Sequence, residues 1–185
     1  IHGRGATAES ILSLVPHLNL TDYAILAPQA NSNAWYPFGF MASDEGNSVG
    51  LQNSLEVLNQ IWKEIIEVGI SPENVFVLGF SQVACLSLEF TARNAQKSGG
   101  VVAFTGGLIG EKLKPENYSG DFQGTSIYIG SSDRDFHVPA KRINESADLL
   151  RKMGADITIE LFDDPDHTIR EAEINWVNRK IFICV

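Results

Sequence analysis

The stretch VFVLGFSQVACLSLEF, Val75 to Phe90, passes without a break from an apolar, β-rich run into a segment of helical period, with a serine on the turn between them. A buried strand that delivers its chain straight into a helix constrains the fold strongly. The helix must carry the chain back across one face of the sheet before the next strand can pair in parallel. The same alternation recurs along the sequence. Strands are expected at Tyr23–Ala27, Val75–Phe80, Val101–Phe104, Ser126–Ile129 and Ile157–Phe162, and helices at Thr7–Val15, Gln82–Ala95, Ala140–Met153 and Glu171–Ile181. Between the first two strands, Ser48–Gly69 places Leu51, Leu55, Leu58, Trp62, Ile65 and Val68 on one helical face, and Gly69 reads as its stop, as Gly154 does later. The pattern predicts an α/β fold, a mostly parallel sheet with helices on both faces.

Composition narrows the class further. With 185 residues, 44% hydrophobic and 20% charged, the chain is expected to form a single domain over residues 1–185 with one full core. A net charge of −9 with the acids dispersed argues against nucleic acid or an anionic membrane surface as a partner. The two cysteines, Cys85 and Cys184, fit no metal-ligand spacing, so reduced thiols in a cytoplasmic protein are expected. No apolar run reaches the roughly 20 residues of a membrane-spanning helix, and no basic-then-apolar leader is present at residue 1, so stable membrane insertion and export are not expected.

Open parallel sheets place ligand sites at the carboxyl ends of their strands. Those ends carry HGRGA, PQANSNAWYPFGF, GFSQVA, TGGLIG, SSDRDFHVP and DDPDHT. Ser81, on the strand-to-helix turn, suits a nucleophile lifted above the sheet, or equally a simple N-cap of the following helix. A serine hydroxyl needs a histidine base, and the base needs a carboxylate. Of the four histidines, His17 suits a solvated loop, His2 a backbone-bonded turn and His137 packing between Phe136 and Val138. His167 follows the last strand at the same sheet edge as Ser81 and is the favoured base. Asp133 and Asp135 both offer a carboxylate; a D-x-D pair also suits a divalent cation or a turn before a helix, but no third acid nearby supports a metal. The chain order Ser, Asp, His is that of α/β-hydrolases.

Taken in order, HGRGA, APQANSNAWYPFGF, GFSQ, GSSDRDFHVP and DHT resemble the phospholipase/carboxylesterase family of α/β-hydrolases, which includes acyl-protein thioesterases and bacterial carboxylesterases, over nearly the whole chain. The resemblance implies Ser81 as nucleophile, His167 as base and Asp135 as the residue that orients it, with Phe136 standing where the family has proline. It also implies the backbone N–H of Arg4 as an oxyanion donor, beside the N–H of Gln82 that follows the nucleophile. A phosphate-binding reading of Gly3-Arg4-Gly5 lacks the third glycine of a dinucleotide fingerprint. Trp35, where the resemblance expects a tryptophan, is read with Phe38, Leu108 and Ile109 as the wall of an apolar acyl pocket rather than as core packing alone.

The expected activity is hydrolysis of a small carboxylic ester, with lysophospholipids and acyl thioesters as further candidates, through an acyl-enzyme and without metal or organic cofactor. The alternative is a catalytically impaired hydrolase-fold protein that binds a ligand. Its support is Val83, which stands where a nucleophile turn prefers glycine; either the turn opens or a neighbour has shrunk, and Val83→Gly is expected to raise turnover. Substrate identity and a homodimer are left open. In this fold the strand leading into HGRG is central, and only Ile1 of it is present, so N-terminal strands are expected to precede residue 1.

Overall fold

Along the parallel strands, Val101, Ala103, Ile127 and Ile129 point to one face and Val102, Phe104 and Tyr128 to the other, all of them buried. This alternation follows from the two-residue period of a strand, and it obliges both faces to be covered. In a computed structural model describing residues 1–183, the elements run α1 (Ala8–Leu12), α2 (Asp44–Glu67), β1 (Phe76–Phe80), α3 (Gln82–Arg93), β2 (Gly100–Phe104), β3 (Ser126–Ser132), α4 (Ala140–Lys152), β4 (Asp156–Phe162) and α5 (Glu171–Lys180), with short 3-10 turns between some of them. The sheet has four strands in the order β1-β2-β3-β4, each neighbouring pair parallel. One face packs with α2, α3 and α4 through Leu55, Leu58, Leu86, Ile143 and Leu150. The other packs with α5 through Val177, and with Ile181 and Phe182 just beyond it. The fold is therefore the expected parallel α/β sheet with helices on both faces.

Several boundaries differ from those predicted. β3 continues past Ile129 to Ser132, because Ser131 and Ser132 keep pairing with Leu161 and Phe162 of β4. The long helix starts at Asp44 rather than Ser48, with Asp44 and Glu45 in its first turn, where acidic side chains suit the positive end of the helix dipole. Gly69 and Gly154 follow α2 and α4 closely with φ of +91° and +83°, the left-handed conformation that ends a helix. The first helix stops at Leu12, and Val15–His17 is a separate 3-10 turn, since Pro16 offers no N–H and disfavours helical backbone before it.

Tyr23–Ala27 is not a strand. The segment lines an apolar cavity of about 1030 Å³ together with Ile11, Leu58, Ile65, Val77 and Leu78, and the Tyr23 ring meets Phe76 of β1 edge-on at 5.4 Å. Among the described residues it pairs with no strand of the sheet, so local propensity is not converted into a strand. Cys85 is a buried free thiol whose pKa burial pushes up to about 12, too high for a reactive thiolate. Cys184 lies outside the described residues. Among the described residues no helix is long and apolar enough to cross a membrane.

Candidate active site

Ser81 sits between β1 and α3 with φ 60° and ψ −124°, a conformation that L-residues adopt at a cost. Two backbone bonds fix it: its N–H donates to Phe104 O on β2 (2.9 Å), and its carbonyl accepts from Cys85 N–H in α3 (3.2 Å). Its side chain makes no capping bond to α3. Instead Oγ lies 2.8 Å from Nε2 of His167.

The sharp turn brings helix backbone against the strands, and glycines on the strand side provide the room. A Cβ on Gly79 would lie 2.5 Å from Val83 O, and one on Gly106 would lie 2.6 Å from the Ala84 Cβ. Val83 is fully buried in the core beneath the elbow. These glycines clear the α3 backbone at Val83 and Ala84. Val83→Gly is then expected to lower stability by about 3 kcal/mol, through the cavity left by a buried aliphatic group and the poor helix propensity of glycine. Thermal denaturation measures that loss, and turnover of the folded variant tests whether glycine also speeds the reaction.

His167 follows β4, and its Nδ1 lies 2.7 Å from Asp135 Oδ2. With the carboxylate accepting from Nδ1–H, Nε2 carries the lone pair that faces the Ser81 hydroxyl. Asp135 is locked from its other oxygen, where Oδ1 accepts from the N–H groups of His137 (2.6 Å) and Val138 (3.0 Å). Its side chain is fully buried, while that of His167 is 26% exposed. The D-x-D pair is thus divided by burial: Asp135 turns inward to the imidazole, whereas Asp133 stays at the surface and pairs with Arg134. His137 has its ring centroid 5.1 Å from that of His167 in a T-shaped contact, and Phe80 flanks the His167 ring at 5.2 Å. His2 is buried with both ring nitrogens engaged, one near Gly3 O and the other accepting from Ala30 N–H. His17 is exposed in its 3-10 turn.

The HGRG turn packs against the elbow, close enough that a Cβ on Gly3 would stand 3.6 Å from Ser81 Cβ. Among the described residues, the N–H groups of Arg4 and Gln82 have no hydrogen-bond acceptor. Free donors beside a serine at a helix N-terminus are suited to an oxyanion. The side chains of the same two residues carry a role that sequence reasoning missed. The Arg4 guanidinium donates to the carbonyls of Tyr36 (2.9 Å), Pro37 (2.7 Å) and Phe38 (2.5 Å). Gln82 donates to Tyr36 O (2.8 Å) and accepts from Trp35 N–H (3.1 Å), and the Tyr36 hydroxyl donates back to Gln82 O (3.0 Å). The aromatic loop is thereby tied both to the HGRG turn and to the first residue of α3.

Of the four residues expected to wall an acyl pocket, Trp35, Leu108 and Ile109 are buried in the core and Phe38 is 56% exposed. Trp35 Nε1 donates to His2 O. The loop holding Leu108 and Ile109 is pinned from outside the site: Arg142 donates to Leu108 O, Gly110 O and Glu111 O, while Glu89 accepts from Ile109 N–H. Burial raises the Glu89 pKa. Neither Arg142 nor Glu89 stands out in the sequence, where both read as ordinary charges on helices. The loop carrying His167 is held by Asp164, Ser132 and Arg170, and the Arg170 guanidinium lowers the pKa of the Asp164 carboxyl to about 2. Among the described residues, no group of three or more His, Cys, Asp or Glu side chains could hold a metal ion.

The sequence profile described as Phospholipase/Carboxylesterase matches residues 1–185. A curated relative, acyl-protein thioesterase 1 of Saccharomyces cerevisiae, is 30% identical over 158 residues, covering 75% of this chain and 70% of its own. Acyl-protein thioesterase 1 of Kluyveromyces lactis is 33% identical over 107 residues, covering 56% of this chain; that match spans 46%, about half, of the K. lactis protein. Among solved structures, a phospholipase/carboxylesterase from Dyadobacter fermentans superposes with a TM-score of 0.97 at 45% identity, over 98% of this chain and 87% of that one. The Bacillus cereus carboxylesterase, at 16% identity and a TM-score of 0.75 over 97% of this chain and 84% of that one, shares the fold.

Proposed function

This chain belongs to the phospholipase/carboxylesterase family of α/β-hydrolases, and on that premise we propose that it hydrolyses carboxylic esters through an acyl-enzyme on Ser81. The observation that carries the reading is the continuous series Ser81 Oγ, His167 and Asp135, with contacts of 2.8 and 2.7 Å. Ser81 attacks the ester carbonyl while Nε2 of His167 takes its proton, and Asp135 holds the imidazolium in orientation. The charge developing on the carbonyl oxygen is received by the N–H groups of Arg4 and Gln82, a contribution worth about 10²–10³ in rate per donor. His167 then protonates the leaving alcohol and activates the water that releases the acid. None of these steps draws on a metal or an organic cofactor.

The yeast relatives' names extend the substrate range to acyl thioesters, since the same acyl-enzyme forms when a thiolate leaves. A lysophospholipid is a further candidate ester. The rival reading, a hydrolase-fold protein that only binds, rested on Val83; the close approach of Ser81 Oγ to His167 across that elbow supports turnover instead. A serine-reactive fluorophosphonate probe tests the proposal. Covalent labelling of the wild type that disappears in Ser81→Ala is the expected result, and no labelling of folded wild type refutes it. Among p-nitrophenyl esters of increasing acyl length, the one with the highest kcat/KM then sets the acyl preference.

A further inference from the structure

Helix α5 begins with an arginine at its N-cap, a position that Ser, Thr, Asp or Asn ordinarily fills and where a cation opposes the positive end of the helix dipole. Glu173 in the first turn answers it locally, with Oε2 accepting the Arg170 N–H (2.8 Å) and pairing with Nη1 (3.4 Å), but the guanidinium also has tertiary partners. The Arg170 side chain is only 14% exposed and reaches back along the loop that carries His167. Its Nη2 and Nε grip the Asp164 carboxylate at 2.5 and 3.1 Å, the forked geometry that arginine alone provides. Nη2 also donates to Asp166 O (3.0 Å) and to Ser132 Oγ (2.6 Å), and Nη1 to Thr168 O (3.4 Å). Ser132 closes the ring by donating toward Asp164 (2.8 Å) and contacting Asp166 O. The guanidinium stacks over Phe162, the last residue of β4, at 4.6 Å.

These contacts have a common geometry. Ser132 ends β3, the strand that leads to Asp135, and Phe162 ends β4, the strand that leads to His167. Arg170 therefore joins the ends of the two strands that deliver acid and base, and it does so through residues on both sides of His167. The imidazole has to meet Asp135 and Ser81 together, so a small shift of its loop lengthens at least one of the two bonds.

We infer that Arg170 is a positioning residue for His167, acting through Asp164 and Ser132 to hold the imidazole in register with both Ser81 and Asp135. The inference rests on the hydrolase reading above. Arg170 touches none of the three, so its loss acts on the chemical step and not on substrate affinity. A displacement of about 1 Å at a reacting group is enough for up to a 10²-fold loss.

Arg170→Ser is the informative variant, because serine is a better N-cap and α5 keeps its start, but serine cannot span to Asp164. The expected result is a folded protein whose kcat for a short p-nitrophenyl ester falls about 10–100-fold while KM stays within about twofold. Millimolar guanidinium chloride should restore part of the lost kcat, and sodium chloride of equal ionic strength should not. Ser132→Ala, which removes the strand-side contact, should lower kcat in the same way, and the double variant should lose less than the product of the two single losses. Should Arg170→Ser fail to fold, Ser132→Ala decides by the same split between kcat and KM. Unchanged kcat in the folded variant, or a loss that guanidinium leaves untouched and that follows the folded fraction, overturns the inference. An inert wild type would overturn the hydrolase reading and this inference together, whereas an active wild type beside an equally active Arg170→Ser overturns the inference alone.

Discussion

His167→Ala is expected to lower kcat for a short p-nitrophenyl ester by about 10⁴–10⁶-fold, because a serine without its base loses almost all its nucleophilic advantage and the remaining rate comes from binding and the oxyanion donors. Ser81→Ala should fall to the same residual rate, and the double variant should be no worse, since the two groups act as one unit. His137→Ala is the control. That imidazole stands 5.1 Å from the base ring and has no bond to Ser81, so most of the activity should remain. Steady-state kinetics on the three variants decides the assignment: an active His167→Ala, or a His137→Ala as inert as it, would move the base elsewhere. Asp135→Asn gives a finer test, because an amide can hold the imidazole in the wrong tautomer while the fold stays intact; a loss of about 10⁴-fold is expected.

Gly79→Ala should be strongly destabilising. The added Cβ would stand 2.5 Å from the Val83 carbonyl oxygen and 2.8 Å from the Ala84 nitrogen, all backbone atoms of α3 that cannot swing aside as a side chain would. Relief requires α3 to move away from β1, and the first residue of α3 follows Ser81 directly. We expect a loss of about 3 kcal/mol, at the upper end of overpacking costs. For a chain of this length that corresponds to a fall in Tm of about 6–12 °C. Fluorophosphonate labelling of the surviving folded fraction should also slow, because the displaced helix carries the Gln82 N–H with it. An unchanged Tm would show that the strand and helix adjust more freely than their spacing allows.

The glycines around the elbow explain how the α3 backbone comes so close to the sheet. Sequence reasoning could see only that a valine stood where glycine was expected. It could not see that Gly79 on β1 and Gly106 just beyond β2 leave the space against the backbone of Val83 and Ala84. The choice between Asp133 and Asp135 has the same character. Both carry the same carboxylate two residues apart, and what separates them is that one is buried against His167 and the other is paired with Arg134 at the surface. Tyr23–Ala27 shows the converse: a stretch with clear strand propensity forms no strand, because among the described residues it joins no ladder. Arg170 also left a mark on the sequence, as a cation where a helix start prefers a small acceptor.

By itself the sequence determined the alternation of apolar strands and amphipathic helices, and with it a parallel sheet covered on both faces and a serine, an aspartate pair and a histidine in loops at one edge. Those are properties of periodicity within single segments, which neighbouring residues specify. Only the tertiary structure decided which carboxylate meets the histidine and what pins each loop. Each of those outcomes depends on groups far apart in the chain, such as His167 with Ser81, 86 positions away, and His167 with Asp135, 32 away. Burial and hydrogen-bond geometry, which no local pattern encodes, select among them.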